Sequence, residues 1–568
     1  MTTMKKHIII LTILFLTLTV VRGQTGNWLW AKAGTITNGN AEGMSNATDN
    51  FGNVYITGFF QDSVITFGNF TLVNNNTSGN TCDIFIVKYD ANGNVIWAKS
   101  AGGTSADDCY SICTDASCNF FITGSFESLT CTFGGITINR SSTSVGDVFI
   151  AKYDSSGNAL WAKSSTGNSY DIGSSVSTDV FGNALITGRF GSSAISIGSY
   201  TLSNVSSNDY DVFIAKYDVS GNVMWANSAG GIYWDGGWCT GTDASGNIYL
   251  TGSYDSPSIT FGSFTLTNVS VGSRQFFLVK YNAAGNVLWA KSIGGNAHED
   301  GWSVTTDGLK NVFLTGGFQS PVINIGNITL TNSDPSGHTF DMFVVKFDSS
   351  GNSLWAKSAG ATGTDDVGYC VSVDNLGNVF ATGSFYSPTI IFGSDTITMI
   401  QGSNDPIFIV KYDHSGKVLC CSALTSGGDD QDGISVDAMG NAYITGDYRV
   451  SPFIIGSNTL PLLSGESIFT AKFQCNSDAA INFISENPAT KIFPNPFSSK
   501  TILQMDKNLK DATLTLYNSF GQQVKQIKNI SGQTIIVQRD NLSCGLYFLQ
   551  LTQDNTILTT DKLVIVDN

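Results

Sequence analysis

Seven acidic residues recur once per repeat along this chain, each just ahead of a short apolar run: Glu42, Asp108, Asp171, Asp235, Asp300, Asp366 and Asp430. Aromatic residues stand beside them at Tyr110, Tyr170, Trp234, Trp238, Trp302 and Tyr369. Two chemistries suit such a set. Flat rings beside hydrogen-bonding carboxylates fit a polyhydroxylated ligand, because a ring stacks on the apolar face of a sugar while the acid takes its hydroxyls. Carboxylates gathered round one point also suit a hard cation such as calcium, which prefers oxygen ligands. The plainer roles are structural, with each acid capping its loop and each aromatic filling a gap between repeats. Recurrence across seven units sets the group apart.

Catalysis has less behind it. Beyond residue 23 there are three histidines, His298, His338 and His414, at unlike positions, so no His pair or metal triad repeats. No G-x-S-x-G elbow, H-E-x-x-H or phosphate-cradling loop stands in a suitable context. The pairs Asp107/Asp108, Asp365/Asp366 and Asp429/Asp430 meet the two-carboxylate requirement of a glycosidase, but they occupy equivalent loops of different repeats, as architecture would. A non-enzymatic binding or adhesion module is therefore the first reading. A polysaccharide-active enzyme using the acidic face is the second, and a structural cell-envelope protein the third.

The element that must position these residues is written most clearly at Asp211 to Ser228, DVFIAKYDVSGNVMWANS. Phe213, Ala215 and Tyr217 alternate with Ile214, Lys216 and Asp218, the period of a strand. An Asp-x-x-Gly-Asn turn then leads into a second apolar run, which makes a β-hairpin. Its tryptophan counts the copies: Trp30, Trp97, Trp161, Trp225, Trp289 and Trp355, with Cys420 in the seventh place, at steps of 67, 64, 64, 64, 66 and 65 residues. Such a period marks a solenoid, a propeller or an array.

Each unit holds four strands, here called A to D. From Trp225 they read VMWANS (D), a variable loop, WCTGTD (A), an ASGN turn, IYLTGSY (B), an insertion with its own strand pattern over Ile259–Asn268, and FFLVKY (C). Four-stranded units repeated radially are propeller blades. The chain opens on a lone strand D, Asn27–Lys32, and its seventh unit stops after strand C, so the first strand can complete the last blade and close the ring. The expected fold is all-β, a seven-bladed β-propeller over residues 24–475, then a linker over 476–490 and a small C-terminal β-sandwich over 491–568. The repeated turn aspartates fail the calcium-loop spacing and are read as bonding their own turns.

Residues 1–23 read as a secretory signal peptide, with Lys5 and Lys6 ahead of an apolar run from Ile8 to Val21. The formal charge is −16; the leader carries +3 and residues 491–568 carry +2, so the repeats with the linker carry −21, which argues against nucleic acid or an anionic membrane as partner. Eleven cysteines follow no blade pattern, and they read mostly as small buried apolar residues, with a disulfide open among Cys109, Cys113, Cys118 and Cys131.

The stretches DNFGNVYITG (Asp49–Gly58), DASGNIYLTG (Asp243–Gly252) and DAMGNAYITG (Asp437–Gly446) resemble the β-propeller repeat family of secreted bacterial proteins; Cys118 and Lys310 replace the turn glycine in two other copies. That resemblance implies the fold and leaves the ligand open. The tail resembles the C-terminal sorting domain of type IX secretion cargo of Bacteroidetes, on Pro494, Asn495, Pro496, Gly521, Gly545, Tyr547 and Lys562. It implies a small β-sandwich that directs export via the periplasm to the outer-membrane surface or beyond, with the type IX machinery as a partner; a polysaccharide or surface protein as target is the expectation from the acidic and aromatic face.

Overall fold

The computed structural model describes residues 26–37, 39–76, 81–141, 143–206, 209–399, 406–424, 433–449, 451–462, 465–475, 490–518, 523–553 and 556–566. The leader, Asp430, most of the linker and Gly521 lie outside the described residues. Seven four-stranded antiparallel blades form a propeller, followed by a small β-sandwich. In blade 4 the strands are Asp235–Thr242 (A, innermost), Ile248–Tyr254 (B), Gln275–Tyr281 (C) and Val287–Ile293 (D, outermost). Blade 7 joins the two ends of the propeller, since its strand C, Ser467–Gln474, pairs along Asn27–Ile36. The insertion between B and C is a hairpin that reaches back to the preceding blade: Ile65–Phe67 pairs with Gly34–Ile36, and Thr132 and Phe133 pair with Gly102 and Ala101. The outer strand is therefore partly covered at these junctions, not an open edge.

The hairpin turns work as their composition requires. Asp218 accepts hydrogen bonds from the backbone N–H groups of Ser220 and Asn222 and from the Asn222 side chain, all at 2.9 Å. Those donors, the Asn222 side chain first, hold its carboxyl below the ordinary range. Gly221 has φ +83°, and a Cβ there would lie 2.8 Å from the Trp161 ring of the preceding blade, so glycine answers both a backbone and a packing demand. In the A–B turns, Cys118 (φ 60°) and Lys310 (φ 66°) adopt the same left-handed conformation without glycine.

Blades are joined through those turns. In blade 3 the Trp225 indole and the Lys216 ammonium both donate to the Ala283 carbonyl in the C–D turn of blade 4, at 3.1 and 3.3 Å. Trp97 with Lys88, and Trp355 with Lys346, do the same to Ser155 and His414. At the closure Trp30 comes from the first strand and Lys472 from the last, and both donate to Ala91. Lys216 also pairs with Asp179 at 2.8 Å, the turn aspartate of its own blade, with both side chains buried. Near the axis, Thr114, Thr178, Thr242 and Thr306 each donate to the carbonyl of the matching residue one blade back.

One junction departs. Cys420 replaces the tryptophan of blade 6, and it is disulfide-bonded to Cys475, which stands where the next turn would have supplied its acceptor carbonyl. The chain leaves the propeller there, so a covalent link takes the place of the hydrogen bond. Cys109, Cys113, Cys118 and Cys131 are free thiols, so the disulfide left open among them does not form.

The loop end of each blade is pinned by buried carboxylates. Asp235, first in strand A, accepts from the Gly231 N–H at 2.7 Å and the Ser256 hydroxyl at 2.9 Å. Asp211, first in strand C, accepts from the Val205 N–H at 2.8 Å. Burial pushes Asp83, Asp171, Asp235 and Glu299 up to about 7, and Asp107, Asp211 and Asp366 up to about 6.

The sandwich buries one core around Leu514, Leu516, Leu549 and Leu563. Asn495 fixes its last strand, accepting from the Val564 N–H and donating to the Lys562 carbonyl. Tyr547 donates to the Ser543 carbonyl at 2.9 Å.

Two outcomes follow from these ties. Replacing Cys420 and Cys475 together by serine removes the link across 55 residues and lowers propeller stability by about 2–4 kcal/mol in denaturant titrations; an unchanged midpoint would show that the link holds nothing. The buried carboxyls have folded pKa values above the roughly 4 of the unfolded chain. Their stabilisation is complete below that value and lost as pH rises through about 6 to 7. The thermal midpoint is therefore expected to fall between pH 5 and pH 8, and a midpoint that rises across that interval contradicts the assignment.

Candidate functional site

Strand A carries one extra residue in each of the first six blades. In blade 4 Gly237 pairs with Gly252 and Cys239 with Thr251, so Trp238 bulges out of the ladder. The same slip leaves Met44, Tyr110, Ser174, Trp302 and Tyr369 out of register. A bulge re-aims the side chain it carries. Here the re-aimed rings meet one another across blades: Trp238 lies 4.7 Å from Trp302 between ring centroids, and Trp302 lies 6.2 Å from Tyr369. Trp234, from the loop before strand A, adds a fourth ring 5.5 Å from Trp238. An aromatic crescent thus spans blades 4 to 6 at the variable, loop-bearing end.

One end of the crescent opens into a cavity of about 430 Å³ lined by Asp300, Trp302, Phe340, Asp365, Tyr369 and Tyr386, among others. Polar partners hold this wall in place. The Trp238 indole donates to the Ser253 hydroxyl at 3.1 Å, and Ser253 donates to Asp300 at 2.6 Å. Arg274 lies 3.7 Å from Asp300, pairs with Asp255 at 2.8 Å, and sits 4.5 Å over the Trp234 ring. Burial raises the Asp300 carboxyl above its ordinary range, against the opposing pull of Arg274. Towards blade 3, the Arg189 guanidinium lies 5.1 Å from the Trp238 ring, 5.8 Å from Tyr210 and 6.0 Å from Trp234. A second polar group lies at blades 2 and 3, where Tyr110 donates to Asp108 at 3.4 Å and Ser125 bonds the Tyr170 hydroxyl at 3.1 Å. Burial, with Asp107 next, pushes Asp108 up to about 7.

The expected ring of seven equivalent carboxylates does not form. Strand A starts at Asp235, three residues ahead of the WCTGTD run; the bulge at Trp238 breaks the alternation by which a strand is recognised. Asp171, Asp235 and Asp366 are accordingly first residues of strand A, buried and bonded to serines of their own blades. Glu42, Asp108 and Asp300 are second residues and face the other way along the pleat. Asp430 lies outside the described residues. Among the described residues no three His, Cys, Asp or Glu side chains gather so as to hold a metal ion.

Trp234, Trp238, Asp300, Trp302 and Tyr369 are brought together as the sequence suggests. Sequence reasoning missed Arg189, Arg274, Phe340 and Tyr386. Arg274 and Phe340 stand just before strand C and Tyr386 just after strand B, where loops follow no repeat. Arg189 did leave a signal. Its place in strand B is held elsewhere by Phe59, Ser125, Ser253, Gly317, Ser384 and Asp447, so a long cation there departs from the pattern.

Residues 491–566 match the family model of the secretion system C-terminal sorting domain, and that tail indicates a secreted or cell-surface protein. The chain is 27% identical over 492 residues to an uncharacterized WD repeat-containing protein of Acanthamoeba polyphaga mimivirus, covering 72% of this chain and 35% of that one. It is 26% identical over 126 residues to Regulatory protein FlaEY of Caulobacter vibrioides, covering 22% and 13%. The chain therefore spans about a third or less of these curated relatives. Among solved structures, Sqt1 from Chaetomium thermophilum aligns over 79% of this chain and 99% of its own, at 8% identity and a TM-score of 0.36. A gluconolactonase from Xanthomonas campestris aligns over 64% and 96%, at 10% identity and a TM-score of 0.30.

Proposed function

We propose that this chain is an exported, non-enzymatic binding module that holds a polysaccharide on the aromatic crescent of its variable face. The carrying observation is that bulges in three successive inner strands bring Trp238, Trp302 and Tyr369 together beside a cavity. Rings fixed in advance by packing and by the Trp238–Ser253–Asp300 chain lose little freedom on binding a sugar face. The sorting tail supports export to the cell surface or beyond; in this reading an N-terminal signal takes the chain into the periplasm of a Bacteroidetes cell and the type IX machinery carries it outward. A non-catalytic role accords with the carboxyls that begin strand A, which are bonded within their own blades. Hydrolysis is the second reading, because Asp300 and Asp365 share the cavity.

The chain from residue 24 onward, tested on immobilised polysaccharides, is expected to bind at least one of them. Trp302→Ala and Tyr369→Ala should each weaken that binding by roughly tenfold, the scale of one stacked ring. Silence on every polysaccharide contradicts the proposal. Release of reducing ends from the bound glycan, lost in Asp300→Asn, would replace the binding module by a hydrolase.

A further inference from the structure

Arg189 breaks the residue pattern of its strand position. It lies in strand B of blade 3, between Ile172 and Val212 on the neighbouring strands, at a position that serine or glycine fills in four other blades. Every other described arginine reaches an oxygen: Arg140 donates to Ser144, Arg274 pairs with Asp255, Arg449 with Glu466, and Arg539 donates to Leu542. Among the described residues the Arg189 guanidinium has no ion-pair or hydrogen-bond partner. Its guanidinium is held by ring faces alone, those of Tyr210, Trp234 and Trp238. Burial keeps it below its ordinary range, and Tyr110, Tyr210 and Tyr170 are the largest electrostatic influences that oppose this.

A guanidinium carries five N–H donors in a rigid fork suited to planar oxyanions. Aromatic faces stabilise its charge and fix its plane without using the donors. A half-buried cation of this kind is poorly solvated, so an incoming anion gains more from it than from an exposed lysine. The repeats carry net negative charge, so capture depends on this local fork and not on long-range steering. Trp238 connects the fork to the crescent, since its ring contacts both Arg189 and Trp302.

We propose that Arg189 is an anion-binding residue that takes a carboxylate or sulfate group of a saccharide whose rings lie along Trp238 and Trp302. This rests on the reading of the variable face as a glycan site. The ligand class is thereby narrowed from polysaccharides in general to acidic ones.

The test is calorimetric titration of the chain from residue 24 onward with three tetrasaccharides: an oligogalacturonate, its full methyl ester and a sulfated galactan fragment. The native protein is expected to bind at least one charged probe about tenfold tighter than the methyl ester, the scale of one charge-assisted contact. Arg189→Gln should bring charged and neutral probes to within about threefold of each other, and Arg189→Lys should fall between, since it keeps charge but loses the fork. Trp302→Ala should weaken all three. Which charged probe responds tells carboxylate from sulfate. Equal binding of charged and neutral probes by the native protein overturns the role of Arg189 and leaves the glycan site standing; so does an Arg189→Gln variant that loses both alike while keeping the native thermal midpoint. If Arg189→Gln fails to fold, an Arg189→Lys variant with undiminished preference for the charged probe overturns it equally. No binding to any probe sinks this proposal, and it sinks the glycan reading too only if the immobilised polysaccharides are also silent.

Discussion

The structure depends on a carbonyl shared at the blade junctions. In four of them the second residue of a C–D turn accepts from both a tryptophan indole and a lysine ammonium of the blade before. The lysine is buried, and its charge is balanced in blades 1, 2, 3, 6 and 7 by the A–B turn aspartate of its own blade. One ammonium thus ties the A–B turn of its own blade to the C–D turn of the next. Removing the aspartate would leave an uncompensated buried cation, a costlier state than losing a surface pair. This explains why a chain with 13% charged residues puts so many of them in one repeated place.

A ring locked at its turn face leaves the opposite face free to vary. That end has buried carboxylates to hold its loops, and between those anchors the bulge in strand A re-aims one side chain in each of the first six blades. Ser174 and Met44 make two of those positions unremarkable, whereas Trp238, Trp302 and Tyr369 make three adjacent ones aromatic. The site is thus a local choice of residue type on a repeated geometric device, which is how one fold serves many ligands.

Most of the architecture could be read before the structure. The range Ile248–Tyr254 matches its strand residue for residue, and closure of the ring by the first strand follows from where the repeats begin and stop. Both rest on alternation and period, which the backbone enforces. The site was readable only in part. Trp302 and Asp300 stood out because they recur, but the bulge hid the true start of strand A and merged two registers of acids into one apparent ring. Pairing of Cys420 with Cys475 was out of reach, because it depends on the chain leaving the propeller at the position where a turn carbonyl would otherwise stand.

The most direct measurement is hydrogen–deuterium exchange of the chain from residue 24 onward, with and without a saturating bound oligosaccharide. The account predicts added protection in strands Asp235–Thr242, Glu299–Thr306 and Asp366–Val373 and in the loops before them, with the Asp-x-x-Gly-Asn turns unchanged. Protection centred on those turns, or on blades remote from Trp238 and Trp302, would place the ligand elsewhere and contradict it.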